Sequence, residues 1–126
     1  MPEEKVRLSD AEWRLMQILW EKGTCTFRQI CNAVMDETGW TKHSVISFLK
    51  RMETKYAIEI IDAKPVKLYK PVLNKEQALF EETHSLLKKI YNGDLMLMVS
   101  NAARQQKLSD DEIDELVSLL KTEVPK

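Results

Sequence analysis

Thr38-Gly39-Trp40-Thr41-Lys42-His43-Ser44-Val45-Ile46-Ser47-Phe48-Leu49-Lys50-Arg51 is the stretch on which the fold turns. Its first four residues read as a short turn containing Gly between two helices, the joint that a helix-turn-helix requires. Upstream, Thr26-Phe27-Arg28-Gln29 is a capping box that opens the first of the pair, with Phe27, Ile30 and Val34 along one face and Cys31 beside them. Downstream, Thr41 caps the second, whose Val45, Phe48, Leu49 and Met52 face inward. That leaves Thr41, Lys42, His43, Ser44, Ser47, Lys50 and Arg51 facing out. In a helix-turn-helix this second helix lies in the DNA major groove with its N-terminal residues at base edges. The outward residues suit that task. Small hydroxyls at 44 and 47 allow close approach, Lys50 and Arg51 supply charge, and the free amides at the helix start favour a phosphate.

Working outward, Ser9-Asp10-Ala11-Glu12 is another capping box, followed by Trp13, Met16, Leu19 and Trp20 at helical spacing and a stop at Gly23. Beyond the third helix the period changes. Ile58-Glu59-Ile60-Ile61 and Val66-Lys67-Leu68-Tyr69-Lys70-Pro71-Val72 are short and rich in β-branched residues, and Asp62-Ala63-Lys64-Pro65 reads as the turn between them. The pattern predicts a two-stranded hairpin, with Val66, Leu68 and Lys70 on one face and Lys67 and Tyr69 on the other. Three helices followed by a basic hairpin make a winged helix-turn-helix. Its wing carries Lys64 at the tip, then Lys67 and Lys70, and flexible ammonium groups there add phosphate contacts without reading sequence. Tyr69 is expected to pack on the domain, with stacking on a sugar as the alternative.

After the hairpin, Asn74 caps a long helix with Leu79, Phe80, Thr83, Leu86, Leu87, Ile90 and Tyr91, broken at Asn92-Gly93. Residues 94–104 form a second apolar helix, and Ser109-Asp110-Asp111-Glu112 opens a last one with Ile113, Leu116, Val117 and Leu120 at i, i+3, i+4, i+7. The expected fold class is mainly α with a small β wing. A winged-helix DNA-binding domain spans residues 1–73 and a three-helix dimerisation domain spans 74–126. Three helices in so short a segment hold more apolar surface than they can bury among themselves, which points to a two-fold dimer. Leu86, Leu87, Ile90, Leu95, Met98, Ile113, Leu116, Val117 and Leu120 are its expected interface. Folding back on the first domain as a monomer is the competing arrangement.

Charge agrees with this division. Of 126 residues, 19 are Lys or Arg and 20 are Asp or Glu, a formal net charge of -1. Residues 1–74 nonetheless carry net +2 and residues 75–126 net -3, while 41–70 alone carry net +4. A basic first half suggests an anion-binding surface. A hydrophobic fraction of 44% with 31% charged residues is that of a soluble folded chain. No apolar run approaches the roughly 18 residues of a membrane span, so no membrane insertion is expected, and the first residues lack the apolar core of an export signal. Cys25 and Cys31 supply neither a disulfide framework nor a four-ligand zinc site, so a reduced cytoplasmic setting is the default.

Other chemistries find little support. His43 and His84 fall in different domains, so no nucleophilic triad is signalled. Cys31 lies on an apolar face and reads as a small hydrophobe. Glu81-Glu82 reads as a solvated face, and Asp110-Asp111-Glu112 as a helix start favoured by the dipole. No catalytic residue, cofactor or metal site is expected. The rival from another class is a winged-helix protein-interaction adaptor without DNA binding, which would have no use for a basic wing.

Leu8-Ser9-Asp10-Ala11-Glu12-Trp13, Met16, Leu19-Trp20 and Gly39-Trp40-Thr41-Lys42-His43-Ser44-Val45 with Leu49 and Arg51 resemble the penicillinase-repressor (BlaI/MecI/CopY) family. So do Tyr91-Asn92-Gly93-Asp94, Met98-Val99, Asn101, and Leu108-Ser109 with Ile113, Glu115 and Leu116. The resemblance covers nearly the whole chain. It implies a homodimeric repressor with one winged helix on each half of a dyad operator in duplex DNA. It also implies control of β-lactam-resistance genes, beside a membrane sensor protease that cleaves the repressor. Carried over by position, Thr41, His43, Ser44, Ser47 and Arg51 would contact DNA, with Lys42 and Lys50 beside them. The candidate proteolytic bond is Asn101-Ala102.

Three departures stand out. The family carries Gly where this chain has Ala57, and a left-handed turn there would cost Ala about 1 kcal/mol. Phe follows the cleaved Asn in the family, where this chain has Ala102, which puts induction by the usual protease in question. The copper-responsive branch has a C-terminal C-x-C-x4-C-x-C cluster that Glu123-Val124-Pro125-Lys126 does not provide, so copper sensing by that route is not expected.

Overall fold

Local signals set the helix starts in the computed structural model, which describes residues 6–123. Ser9 caps α1 (Asp10–Lys22): its hydroxyl accepts from the Glu12 N–H, and Glu12 Oε1 accepts from the Ser9 N–H at 2.8 Å. Thr26 and Gln29 repeat the device ahead of α2 (Phe27–Thr38), and Thr41 caps α3 (Lys42–Thr54) through the Ser44 N–H. Each cap satisfies amides that a helix start leaves without partners, worth about 1 kcal/mol apiece.

The hydrophobic faces of these helices meet in one core. Leu15, Met16 and Leu19 of α1, Ile30 and Val34 of α2, and Val45, Leu49 and Met52 of α3 are essentially sealed from solvent, together with Ala57 and Ile58. Sealing one such aliphatic side chain contributes about 1.5–3 kcal/mol, so the three helices hold one another in place. Trp20 packs at the edge and donates its indole N–H to the Leu73 carbonyl at 2.9 Å, fastening the chain that leaves the sheet.

The sheet has one strand more than the hairpin expected from the sequence. β1 (Cys25–Thr26) pairs with β3 (Leu68–Pro71), which also pairs with β2 (Ile58–Ile61), giving the antiparallel order β1-β3-β2. Two residues cannot display a period, and Cys25–Thr26 precedes a helix cap, so this strand leaves no mark in the sequence. β3 begins at Leu68, leaving Val66 and Lys67 in the exposed turn rather than in the strand. Tyr69, opposite Ile60 and Cys25, is the β3 residue that reaches the core, its ring 6.4 Å from Phe27.

The left-handed residue after α3 is Tyr56 (φ 63°), not Ala57. Ala57 is instead buried: its N–H donates to the Met52 carbonyl at 2.9 Å, and its own carbonyl accepts from Val72 and Leu73, each at 3.0 Å.

The chain divides after Glu81 into two compact units. The division falls within α4 (Lys75–Tyr91), whose first turn is capped by Asn74 through the Gln77 N–H. α5 runs from Leu95 to Gln106, two residues past the expected end at 104, and Lys107 then takes a left-handed conformation (φ 54°). α6 (Asp110–Glu123) opens with the reciprocal Ser9-type box between Ser109 and Glu112. Among the described residues of the second unit none is buried.

Candidate nucleic-acid interface

The turn that aims α3 is pinned at both ends. Gly39 ends α2 in a left-handed conformation (φ 76°), which glycine adopts without steric cost, and its N–H donates to the Met35 carbonyl. Thr38 donates its hydroxyl to the Val34 carbonyl and accepts from the Trp40 N–H. Trp40 then meets Phe48 edge to face at 5.1 Å, so the turn is packed onto the helix it introduces.

On α3, Thr41, Lys42, His43, Ser47, Lys50 and Arg51 are exposed and Ser44 is half-buried. The Thr41 hydroxyl accepts the Ser44 N–H at 3.1 Å and lies 3.1 Å from the Ser44 hydroxyl. Only the third amide of the first turn is taken by this cap, which leaves those of Lys42 and His43 pointing out of the helix start. Ile46 was not singled out in the sequence, yet it is 37% exposed on the same helix. Its position out of phase with Val45, Leu49 and Met52 was the signal that could have found it.

Arg51 is less free than an exposed arginine would be. Its Nε stands 3.4 Å from Glu12 Oε2, and its guanidinium carbon lies 5.2 Å from the centre of the Phe48 ring. Glu12 is fully buried. Its Oε1 accepts from Lys55 Nζ at 2.6 Å as well as from Ser9, and Lys55 also donates to the Arg7 carbonyl. Burial raises the Glu12 pKa, but the hydrogen bond and charge of Lys55 and the bonds from Ser9 outweigh it and hold the carboxyl below the usual glutamate range. Glu12 and Lys55 therefore belong with Arg51, a grouping the sequence reading missed because some forty residues separate them.

Lys64 and Lys67 are exposed between β2 and β3, where no ion pair engages either among the described residues. Lys70 is exposed on β3 opposite Glu59. Cys25 and Cys31 are buried free thiols whose pKa values burial pushes up, against weaker opposing charges from Lys22 and Lys42 respectively, so they sit as small hydrophobes rather than nucleophiles. Among the described residues no three His, Cys, Asp or Glu side chains gather in a way that could hold a metal.

In the second unit, Leu86, Ile90, Leu95, Ile113, Val117 and Leu120 are exposed, while Leu87, Met98 and Leu116 are half-buried. Met98, Val99, Ala102 and Ala103 of α5 line an apolar cleft with Leu108 and Leu116. Asn101 and Ala102 are exposed within α5, and the Asn101 amide donates to the Tyr91 hydroxyl at 3.1 Å.

Residues 8–122 match the penicillinase repressor family. The penicillinase repressor of Bacillus licheniformis is 27% identical over 114 residues, covering 90% of this chain and 89% of its own. The methicillin resistance regulatory protein MecI of Staphylococcus aureus strain N315 is 23% identical over 120 residues, 95% of this chain and 98% of its own. Among solved structures, the DNA-binding domain of the repressor BlaI superposes with a TM-score of 0.53 at 19% identity, over 59% of this chain and 90% of that domain. MarR from E. coli without ligand gives 0.52 at 18% identity, over 94% of this chain and 79% of its own. At these identities the structural likeness establishes a winged-helix fold.

Proposed function

Because the chain belongs to the penicillinase repressor family, we propose that it is a homodimeric transcriptional repressor whose two winged helices bind the halves of a dyad operator in duplex DNA. The observation that carries this reading is the outer face of α3, polar and basic from Thr41 to Arg51, in the same unit as an exposed basic wing. The amides of Lys42 and His43 receive a phosphate at the helix start. His43, Ser44, Ser47 and Arg51 meet base edges, with Lys42 and Lys50 beside them, and Ile46 offers an apolar contact for a thymine methyl. Lys64 and Lys67 add phosphate contacts from the wing.

The exposed leucines, isoleucines and valines of α4, α5 and α6 support self-association. A unit with no buried residue among those described gains most by covering that surface with a second copy. The names of the relatives, a penicillinase repressor and a methicillin resistance regulatory protein, support control of β-lactam-resistance genes. The reading further takes the protein to act in the cytoplasm, with repression relieved by a sensor protease near Asn101-Ala102. That bond lies inside α5, so cleavage requires local unwinding, which costs little in a helix without buried residues. Among the described residues no helix is long and apolar enough to cross a membrane.

Selection of random duplexes on the full chain at about 150 mM salt, where charges are screened over about 8 Å, tests the proposal. Enrichment of one inverted repeat, its half-sites one helical turn or a multiple apart, is the expected result. A folded dimer that enriches nothing would instead be a protein-interaction adaptor.

A further inference from the structure

Glu12 does more than its place in the α1 capping box requires. Gln29 and Glu112 make the same reciprocal bonds at α2 and α6 while remaining exposed, so the box does not call for burial. Glu12, by contrast, is sealed from solvent and faces two cations from the end of α3. Its Oε1 is saturated by Ser9 and Lys55, whereas its buried Oε2 accepts no hydrogen bond and has Arg51 Nε 3.4 Å away. A buried carboxylate oxygen without a donor is costly, and a small inward movement of the Arg51 Nε–H relieves it. Arg51 remains 57% exposed at its side chain, its plane supported by Phe48. Nε is the guanidinium atom paired with Glu12, so an Arg51 drawn in by that atom keeps its two terminal amino groups for a ligand.

We propose that Glu12 is a positioning residue for base recognition: it holds the Nε edge of Arg51 so that the guanidinium meets DNA with its terminal fork, the geometry that pairs with O6 and N7 of a guanine. This rests on the DNA-binding reading above. Glu12→Gln separates the role from simple packing. Glutamine keeps an oxygen for Ser9 and Lys55 but turns an amide donor toward the Arg51 N–H, reversing the interaction that orients it.

The test uses the duplex selected by the wild-type chain and its single-base-pair variants. Arg51→Ala should lose discrimination at one base pair per half-site, roughly 5- to 150-fold for a bidentate contact. Glu12→Gln should relax discrimination at that same pair while other positions keep theirs, and the double variant should be no worse than Arg51→Ala alone. Arg51→Lys, which keeps the charge beside Glu12 but has no fork, should show the same local loss without a change in salt slope. It reads out the fork even if Glu12→Gln folds poorly. A uniform loss across all positions in Glu12→Gln, effects additive with Arg51→Ala, or full discrimination in Arg51→Lys would each overturn the proposal. A wild-type chain that enriches no motif would overturn the DNA-binding reading itself. An enriched motif that Glu12→Gln still reads in full would overturn the positioning role alone.

Discussion

Removing the two wing lysines together offers the sharpest test of how this chain holds DNA. Lys64 and Lys67 are exposed in the turn between β2 and β3 and take part in no ion pair among the described residues, so each is available to one phosphate. A dimer would present four such contacts. Each neutralised phosphate contributes about 0.9 to the slope of log affinity against log salt, so Lys64→Ala with Lys67→Ala should flatten the slope by about 3.6. Over a fourfold rise in salt, from about 50 to 200 mM, that amounts to about two decades. The variant should therefore lose about 150 times more affinity at the low end than at the high end. Fluorescence anisotropy with a labelled operator across a salt series reads this directly. Arg14→Ala is the control, since Arg14 is already paired with Glu37 and should leave the slope unchanged. An unchanged slope in the lysine variant would refute the reasoning: the wing would not touch phosphate, whatever happened to affinity.

Other consequences are open to simpler measurements. The Glu12 carboxyl is held below its ordinary range, so its stabilisation is present above about pH 4.3, where the unfolded group ionises, and is lost as pH falls through the lower folded value. The melting-temperature gap between wild type and Glu12→Gln should accordingly close in acid; a gap that stayed constant from pH 7 to pH 3 would mean that the charge is not what matters. Leu120→Glu places a charge at an exposed apolar site that two-fold symmetry would count twice, and should weaken the dimer by at least about 3 kcal/mol without melting the first unit. Sedimentation would show a monomer, whereas an intact dimer would put the interface elsewhere. Deoxyuridine in place of the thymine against Ile46 removes one methyl and should weaken binding about fourfold, an effect absent in Ile46→Ala. Leu49→Ala leaves a cavity in the core of the first unit and should cost about 2–5 kcal/mol in chemical denaturation, far more than any substitution on the outer face of α3.

Much of the fold was legible because its instructions are local. Ser9 with Glu12, Thr26 with Gln29 and Ser109 with Glu112 each mark a helix start within four residues, and the structure forms all three boxes. The inward faces of α2 and α3 likewise followed from spacing alone. What escaped was set by contacts distant in sequence. β1 exists only because Cys25 and Thr26 meet Tyr69 and Leu68. The burial of Glu12 depends on Lys55 and Arg51, which no window around residue 12 contains. Arg51 was legible as an outward base but not as one half of an ion pair, and that difference separates a flexible charge from an aimed one. The left-handed residue fell one place earlier than expected because Ala57 is committed to the core and to three backbone hydrogen bonds, which passes the reversal to the exposed Tyr56.

Those three bonds at Ala57 also have a mechanical meaning. Its N–H holds the last turn of α3 through Met52, and its carbonyl holds the chain leaving β3 through Val72 and Leu73. One residue thus rivets α3 to the root of the wing, with no slack segment between them. The two probes behave as the fixed jaws of a gauge: helix and wing cannot adjust their spacing separately to follow an irregular duplex. Accommodation falls to the DNA, whose groove width and bendability vary with sequence. Base pairs lying between the jaws, touched by neither, should therefore influence operator choice through stiffness alone.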